Sequence, residues 1–358
     1  MGQGESLLRP LPRQKGGAWD AVTDRKWKVG EAASRACLCG ASPLLTQARG
    51  KPSDGSMRLF PIFVLCLTLI IACGPRPAER VSPAPDPAHP FSAPPVWWVD
   101  KGETRVYFFG SAHALTPAAA WRSEALDEAL TDAELILFEI APGAAQSPET
   151  LALFADLGAN PPGTTLSAQL SPEDAARLRR VAQNLGLPME RLEAMRPWAA
   201  AQAIALTSAL AQGVRPAWGV EAVLARDLGG RPALGLETPE QQLQVFAGLS
   251  PEREGRLLTL TLTQLESDRD RILEAEAAWS RGDSAAIAAM SREAFLALDQ
   301  AFYEAMITDR NRVFAEAAIS RLSGADQDVL IIVGAAHLSG PDGVIAMLRA
   351  RGYEVQGP

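Results

Sequence analysis

The chain has 358 residues and a formal net charge of −8; 47% of its residues are hydrophobic and 21% are charged. This is the composition of a globular protein, which excludes a collagen-like or wholly disordered chain, and the acidic balance argues against a nucleic-acid partner. All four cysteines lie within the first 73 positions, so the rest of the chain can form neither a disulfide nor a cysteine-ligated metal site.

The first 95 residues are predicted to lie outside the folded domain. Residues 1–56 are polar and basic without a sustained apolar period, which indicates disorder or an upstream extension, with translation beginning at Met57. Residues 57–73 contain an apolar run that is too short to span a bilayer and is typical of a signal peptide. Residues 74–95 are rich in proline, which favours extended conformations and predicts a tether.

The apolar run ends at Cys73, which follows Ile71-Ala72 and precedes Gly74. This pattern resembles the lipobox of bacterial lipoproteins, in which the cysteine is lipid-modified after cleavage. The alternative is that Cys73 is an ordinary apolar residue of a membrane segment. The end of the run at a cysteine, followed by a tether, favours the lipid anchor. We therefore expect a lipoprotein of the bacterial cell envelope, attached to the membrane through Cys73.

Residues 96–358 are predicted to form the folded domain. Two β-rich runs, 96–99 and 105–109, are separated by a polar turn and predict a hairpin that leads into a buried strand. A helical pattern over 117–130 is followed by the wholly apolar run 135–138. Strand, helix and strand in this order are typical of a parallel α/β unit.

The segment 148–320 is predicted to be a large helical insertion. Its patterns predict, among others, helices over 198–212, 220–228, 257–279 and 284–322, with one short strand at 232–236. After it come a predicted strand at 329–333, a helix at 343–351 and a closing strand at 353–355. The predicted fold class is therefore α/β (α+β), with a central, mostly parallel sheet.

Two buried strands are each followed by a glycine, two small residues and a histidine. The first copy is Gly110 to His113 and the second is Gly334 to His337. Glycine permits a sharp exit from a strand, and ligands bind beyond the carboxyl ends of strands in open α/β sheets. We therefore expect both imidazoles at one ligand site, whereas the third histidine, His89, lies in the tether.

Two carboxylates end apolar strands in the same manner, Glu139 and Glu237. A carboxylate in such a place needs a partner, because its desolvation alone is costly. A divalent ion bound by His113, Glu139 and His337 would provide one, and these donors suit manganese, cobalt, zinc or ferrous iron. The plainer alternative is that the histidines are structural and the glutamates cap helices. The repetition of the motif favours the metal site.

The folded region resembles the TraB/GumN family, whose members include the Tiki proteins. The matching motifs are, in chain order, Pro95 to Val99, Gly110 to His113, Leu137 to Glu139, Arg196 to Trp198, Gly219 to Glu221, Gly235 to Thr238 with Gln241, Trp279 with Gly282-Asp283, Arg310-Asn311, and Gly334 to Leu338 with Gly340. The sequence departs from the family pattern at Ser111, where threonine is usual, and at Glu221, where aspartate is usual.

The resemblance implies a fold shared with erythromycin esterases and the ChaN-like haem-binding lipoproteins, and a metal-dependent, peptidase-like site. Carried over by position, the metal ligands would be His113, Glu139 and His337, and the catalytic residues would be Glu237, Arg310 and Asn311. Without the resemblance, Arg310 and Asn311 would be interpreted as part of a solvated helix face.

We therefore expect a lipid-anchored metal-dependent hydrolase acting on a peptide or small-molecule substrate, with Glu237 as the base and Arg310 stabilising negative charge. The alternatives are a protein that binds haem or a metal complex without turnover, and a degenerate scaffold of the cell envelope. Haem is less favoured, because the phenolate ligands available are Tyr107, Tyr303 and Tyr353, and Tyr107 lies within the first buried strand.

Overall fold

The computed structural model describes residues 93–324 and 327–358. The predictions for the first 92 residues, including the signal peptide, Cys73 and most of the tether, concern residues outside these ranges. Within the two described ranges, no helix combines the length and the apolar character needed to cross a membrane.

A five-stranded sheet forms the centre of the described domain. Its strands are β1 (Val96–Lys101), β2 (Thr104–Ser111), β3 (Leu135–Ile140), β4 (Ala233–Glu237) and β5 (Val329–Gly334). Their spatial order is β1-β2-β5-β3-β4; β1 and β2 form an antiparallel hairpin, and all other neighbours are parallel. The predicted α/β class with a mostly parallel sheet is confirmed.

The helices of the described residues surround this sheet or pack beside it. They are α1 (Glu124–Asp132), α2 (Pro148–Gly158), α3 (Pro172–Leu185), α4 (Met189–Glu193), α5 (Pro197–Ala211), α6 (Val220–Asp227), α7 (Pro239–Ala247), α8 (Pro251–Ser267), α9 (Arg271–Ser280), α10 (Ser284–Leu298), α11 (Gln300–Tyr303), α12 (Asp309–Gly324), α13 (Ala335–Leu338) and α14 (Val344–Ala350). A π-helical segment, Glu304–Thr308, joins α11 to α12.

Successive residues of the buried strands face opposite helix layers. On one face, Phe108 and Ile331 belong to the apolar core that includes α12 and α14. On the other face, Phe109 and Ile332 belong to the core that includes α1 and α6. Because side chains alternate along a strand and both faces are covered, the central parts of these strands are apolar on both sides.

A separate apolar core lies among the helices between β3 and β5. Trp198 on α5 is fully buried at its centre, with ring-centroid distances of 5.3 Å to Phe154 and 6.2 Å to Phe246. These helices occupy the segment for which the sequence predicts a helical insertion, whereas β4, which interrupts them in the chain, belongs to the sheet.

Aspartates divide two of the predicted helices. The single helix predicted over 257–279 is two, α8 and α9, because the backbone leaves the helical region at Asp268 (φ −149°, ψ 75°). The single helix predicted over 284–322 is broken at Asp299, which is extended and caps α11 by accepting a hydrogen bond from the N–H of Phe302. The carboxylate of Asp299 thus competes for a backbone hydrogen bond, which favours a cap over a helix interior.

Two further predictions were wrong at element ends. The helix predicted over 117–130 begins only at α1, because the Ser123 hydroxyl caps its first turn. The strand predicted over 353–355 does not form; instead, the backbone of Gln356 makes two hydrogen bonds to β1, with N···O distances of 3.1 and 2.9 Å. The positive φ of Gly357 (109°) then turns the chain out of the extended conformation that a strand requires.

Candidate functional site

Two histidines lie at the same edge of the sheet. His113 follows β2, and His337 lies in α13, directly after β5. Because β2 and β5 are parallel neighbours with Ser111 opposite Gly334, the two segments leave the sheet side by side. The structure thus brings together the two imidazoles that the sequence predicts to meet.

The carboxylate of Glu139 lies next to both imidazoles. Its Oε2 atom is 3.8 Å from Nε2 of His113 and 4.0 Å from Nε2 of His337, and all three residues are buried. The backbone N–H of Gly334 donates a hydrogen bond of 3.0 Å to the same oxygen. A Cβ atom at position 334 would lie 3.2 Å from His113 Nε2 and 3.4 Å from Glu139 Oε2. Glycine at this position therefore leaves the space between the three groups open.

Each imidazole is oriented through its Nδ1 atom. Nδ1 of His113 lies 2.7 Å from Oε1 of Glu221, which also accepts a hydrogen bond from the hydroxyl of Ser111. Nδ1 of His337 lies 2.7 Å from the side-chain oxygen of Asn311. Outer partners on Nδ1 are typical of histidines that present Nε2 to a metal.

Asn311 determines the tautomer of His337. Its amide nitrogen donates to the backbone carbonyl of Asp342 at 2.6 Å, so its amide oxygen faces the ring and Nδ1 carries the hydrogen. Nε2 then has a free lone pair, and it has no hydrogen-bond partner among the described residues. A buried acceptor without a partner is costly, so the free Nε2 fits a ligand such as a divalent ion.

Arg310 links two carboxylates behind the histidines. It donates to Glu139 and to both oxygens of Glu237, with a distance of 2.9 Å from Nε to Oε1 of Glu237. Its Nη1 donates to the carbonyl of Met306 at 3.3 Å. Gln242 donates to Glu139 at 2.7 Å and to Glu237 at 3.2 Å. Each guanidinium nitrogen thus has a partner in the cluster, and Arg310 contacts Oε1 of Glu139 while Oε2 lies towards the histidines.

The π-helical segment Glu304–Thr308 directly precedes α12, which carries Arg310 and Asn311. A π segment accommodates an extra residue within a turn and is frequent at functional sites. Both side chains are buried, one against the carboxylates and the next against His337. One helix end therefore holds both a carboxylate pair and an imidazole.

The two imidazoles differ in protonation. Burial lowers the pKa of His113, but the charge of Glu221 and the hydrogen bond to it outweigh burial and raise this pKa to about 9. Burial, together with the charge of Arg310, lowers the pKa of His337 to about 3. Burial raises the pKa of Glu139, but Arg310 and both histidines outweigh it and hold that pKa well below its usual range. Near neutral pH, the cluster combines an imidazolium, a neutral imidazole and a carboxylate.

These residues fit a divalent ion without forming a finished cage. In the described part of the chain, no group of three or more His, Cys, Asp or Glu side chains is close enough to hold an ion as it stands. Two donors that each lie about 2.1 Å from one ion can be at most about 4.2 Å apart. The two nitrogen-to-oxygen distances at Glu139, 3.8 and 4.0 Å, stay within this limit. That limit applies to donors on opposite sides of an ion, so the three donors would have to close around a zinc, manganese or cobalt ion to bind it together.

Two clefts meet at His113. The α9–α10 cleft is lined by His113, Gly334 and, further out, Leu115, Arg271, Trp279 and Met290. The β3–α2 cleft is lined by His113, Glu139, Pro142, Gln146, Glu221 and Gln242. Each has a volume of about 80 Å³. His113 therefore forms part of the wall of both clefts.

Sequence reasoning missed several groups at this site. It names Gln241, which forms a capping box with Thr238 in the structure, but the neighbouring Gln242 is the side chain that contacts Glu139. Asp342 acts through its backbone carbonyl, for which no side-chain pattern exists. Glu221 stands out in the sequence only as a departure from the family pattern, although its contact with His113 is direct.

Comparison with known proteins agrees with the resemblance seen in the sequence. A model of the TraB/PrgY/gumN family matches residues 95–357, which include the whole sheet and every residue of the cluster around Glu139. No curated protein and no solved structure matches the chain, so the expected kinship with erythromycin esterases stays a prediction. On the strength of the family match, the chain belongs to the TraB/PrgY/gumN family.

Proposed function

We propose that this chain is a metal-dependent hydrolase that cleaves peptide bonds. The observation that carries the proposal is the pair of Nε2 atoms, from His113 and His337, that both face one oxygen of Glu139. Their Nδ1 atoms are held by outer partners, as in metal centres. A divalent ion bound here would supply Lewis acidity for a substrate carbonyl and would lower the pKa of water towards about 7.

The remaining residues of the cluster would hold these groups in place. Because the guanidinium of Arg310 already contacts Glu139 and Glu237, its first role would be to fix the carboxylates rather than to meet developing charge. Glu237 is the proposed base, and it can act only after its contact with Arg310 opens. Asn311 would act through His337, by keeping its Nε2 lone pair free.

We also propose that the protein is anchored to the bacterial cell envelope through a lipid on Cys73. This part of the proposal rests on the sequence pattern around Cys73. Metabolic labelling of the full-length chain with a palmitate analogue tests it: the wild type should be labelled and Cys73→Ser should not. Equal labelling of both proteins would overturn the anchor.

Elemental analysis tests the metal centre directly. Full-length protein purified in mild detergent should contain about one divalent ion per chain, whereas His113→Ala, His337→Ala and the double variant should have lost it. His89→Ala is the matched control, because this histidine belongs to the predicted tether, and it should retain the wild-type content. Unfolding in urea shows whether each variant is still folded.

Hydrolysis is tested with a quenched fluorescent peptide library. Cleavage should stop after treatment with a chelator and return on addition of manganese, cobalt or zinc. An unchanged metal content in a folded double variant would overturn the metal centre. A metal-loaded chain that cleaves no member of the library would overturn the peptidase function and would favour a scaffold or a binding protein.

The structure does not favour haem as the alternative ligand. The phenol of Tyr107 donates to Asp132 at 2.7 Å, and that of Tyr303 donates to Asp342 at 2.8 Å. Both phenols are therefore engaged as hydrogen-bond donors to carboxylates. The absorbance spectrum of the purified protein decides, since bound haem gives a Soret band.

A further inference from the structure

We infer that the α9–α10 cleft is the subsite for an apolar side chain of the peptide substrate, an inference that rests on the proposed hydrolase function. The inner end of the cleft is formed by His113 and Gly334, which border the proposed metal centre. A substrate bond held beside His113 would place a neighbouring side chain inside this cleft.

Apolar side chains form most of its wall. Trp279 comes from α9, Ile287, Met290 and Phe295 come from α10, and Leu115 comes from the loop after β2. Trp279, Phe295 and Leu115 are buried, whereas Ile287 and Met290 are partly exposed at the rim. Concave apolar sites with a few placed polar groups are the usual form of a substrate pocket.

The size of the cleft limits what it can hold. Its volume is about 80 Å³, far below the roughly 300–1,000 Å³ of pockets that enclose a whole small-molecule ligand. This suits one aliphatic side chain rather than a whole peptide. The β3–α2 cleft, on the other side of His113, has the same volume. Two small clefts that meet at one histidine fit an extended chain that passes across it.

One N–H of Arg271, a residue that lines the cleft, lacks an acceptor. Arg271 lines the cleft, and its Nη2 donates to Glu293 at 2.8 Å. Its Nε–H is buried and has no hydrogen-bond partner within the residues that the structure describes. An unpaired buried donor is costly, and a small rotation of the Arg271 side chain would offer this N–H to an acceptor on a ligand in the cleft. A backbone carbonyl of an extended peptide is such an acceptor.

Two hydrogen bonds tie this wall to the segment that carries His113. The carboxylate of Glu276 accepts from the backbone N–H of Thr116 at 2.7 Å. The indole N–H of Trp279 donates to the carbonyl of Gly110 at 2.8 Å. These bonds fix the distance between the subsite and His113. A fixed distance is required if the subsite is to recognise the side chain at one particular position relative to the scissile bond.

Peptide binding tests the subsite separately from hydrolysis. The full-length chain, treated with a chelator to prevent cleavage, is titrated by calorimetry with blocked pentapeptides Ala-Ala-X-Ala-Ala, where X is Leu, Met, Ala or Asp. The Leu and Met peptides should bind at least about tenfold more tightly than the Ala peptide, since each methylene in an apolar pocket contributes strongly to discrimination. The Asp peptide should bind most weakly.

Two variants separate the apolar wall from the polar contact. Met290→Trp should fill the cleft and lower the affinity for the Leu peptide about tenfold; the Ala peptide should change by less than about twofold. Arg271→Lys keeps the charge near Glu293 but removes the Nε–H, so every peptide should bind about threefold to tenfold more weakly, whatever X is. The matched control is Met347→Trp on α14, which lines neither cleft and should bind as the wild type does.

Equal affinity for all four peptides, or wild-type affinity for the Leu peptide in folded Met290→Trp, would overturn the subsite. If the protein binds the peptides selectively but cleaves none of them when loaded with metal, the subsite is supported and the proposed hydrolase function is overturned. If the protein cleaves peptides without any preference for apolar residues, the hydrolase function is supported and the subsite is overturned.

Discussion

Replacement of Gly334 by alanine would place one methyl group among the three proposed metal ligands. The added Cβ would lie 3.2 Å from His113 Nε2, 3.4 Å from Glu139 Oε2 and 3.5 Å from His337 Cδ2. The backbone at this position has a φ of −49° and a ψ of 136°, so alanine is accommodated without the strain of a positive φ. The substitution therefore tests the space between the ligands and little else.

The two consequences of this methyl group differ in size. The nitrogen-to-oxygen distances of 3.8 and 4.0 Å must shorten for an ion to bind, and the methyl opposes this closing. We expect the metal affinity to fall at least about 100-fold, the upper end of the effect of losing an outer partner. Overpacking costs about 1–3 kcal/mol, and the stiffer unfolded chain offsets about 0.4–1 kcal/mol of this. The free energy of unfolding should therefore fall by about 2.6 kcal/mol at most.

Calorimetric titration of the chelator-treated protein with manganese and zinc measures the affinity, and urea unfolding in chelator measures the stability. Gly255→Ala is the matched control: the glycine lies within α8, and its Cβ would have no neighbour within 4 Å. This control should keep its metal affinity and gain about 0.5–1 kcal/mol of stability. A folded Gly334→Ala protein with the wild-type Kd would refute the placement of the ion among these three groups.

Three further outcomes follow from the same cluster. Asn311→Leu should weaken metal binding about 10–100-fold, because His337 loses its Nδ1 partner. Asn311→Asp keeps an acceptor beside Nδ1 and should retain most of the metal affinity. Calorimetric titration measures both affinities. The next outcome concerns the protein in chelator. The pKa of His113 is raised to about 9, so its stabilising effect is complete below the unfolded pKa of about 6.5 and is lost as the pH rises to 9. The pKa of His337 is lowered to about 3, so the free energy of unfolding falls as the pH drops from about 6.5 to 3. Urea unfolding should therefore show a maximum near pH 6.5, and an alkaline decline that persists unchanged in His113→Gln would contradict the assignment. Arg310→Met leaves two buried carboxylates without their cation and should lower the free energy of unfolding by about 3–5 kcal/mol; a loss under about 1 kcal/mol in urea unfolding would show that the carboxylates are not charged there.

The sequence predicts the strands of the sheet well, because a strand that is buried on both faces is a short run of apolar residues. β3 and β5 are wholly apolar except for Glu139, and β2 alternates between two cores that are both apolar. No local sequence pattern predicts that β5 lies between β2 and β3, because strand order depends on pairings between segments that are distant in the chain. The meeting of His113 and His337 was nevertheless predictable, since parallel strands end at a common edge.

The polar partners of the site were harder to predict. Arg310 and Asn311 have the pattern of an exposed helix face, and only the family resemblance indicated a role for them. Their burial depends on the π segment before α12 and on the carboxylates of β3 and β4, which are contributed by other parts of the fold. The contact of Gln242 with Glu139 could not be predicted either, because the local pattern identifies its neighbour Gln241 as the helix-capping residue and gives Gln242 no role.

The buried charges provide an independent argument for a cation at this site. Glu139, Glu221 and Glu237 have largely buried carboxylates, and the guanidinium of Arg310 is the permanent positive charge in contact with two of them. Three negative charges against one positive charge leave two uncompensated, which a low-dielectric environment does not tolerate cheaply. Protonation of His113 offsets one of them, whereas a divalent ion offsets both and makes that proton unnecessary. The cluster is therefore closest to neutrality with a divalent ion beside a neutral His113, the same state in which both Nε2 lone pairs are free to bind it.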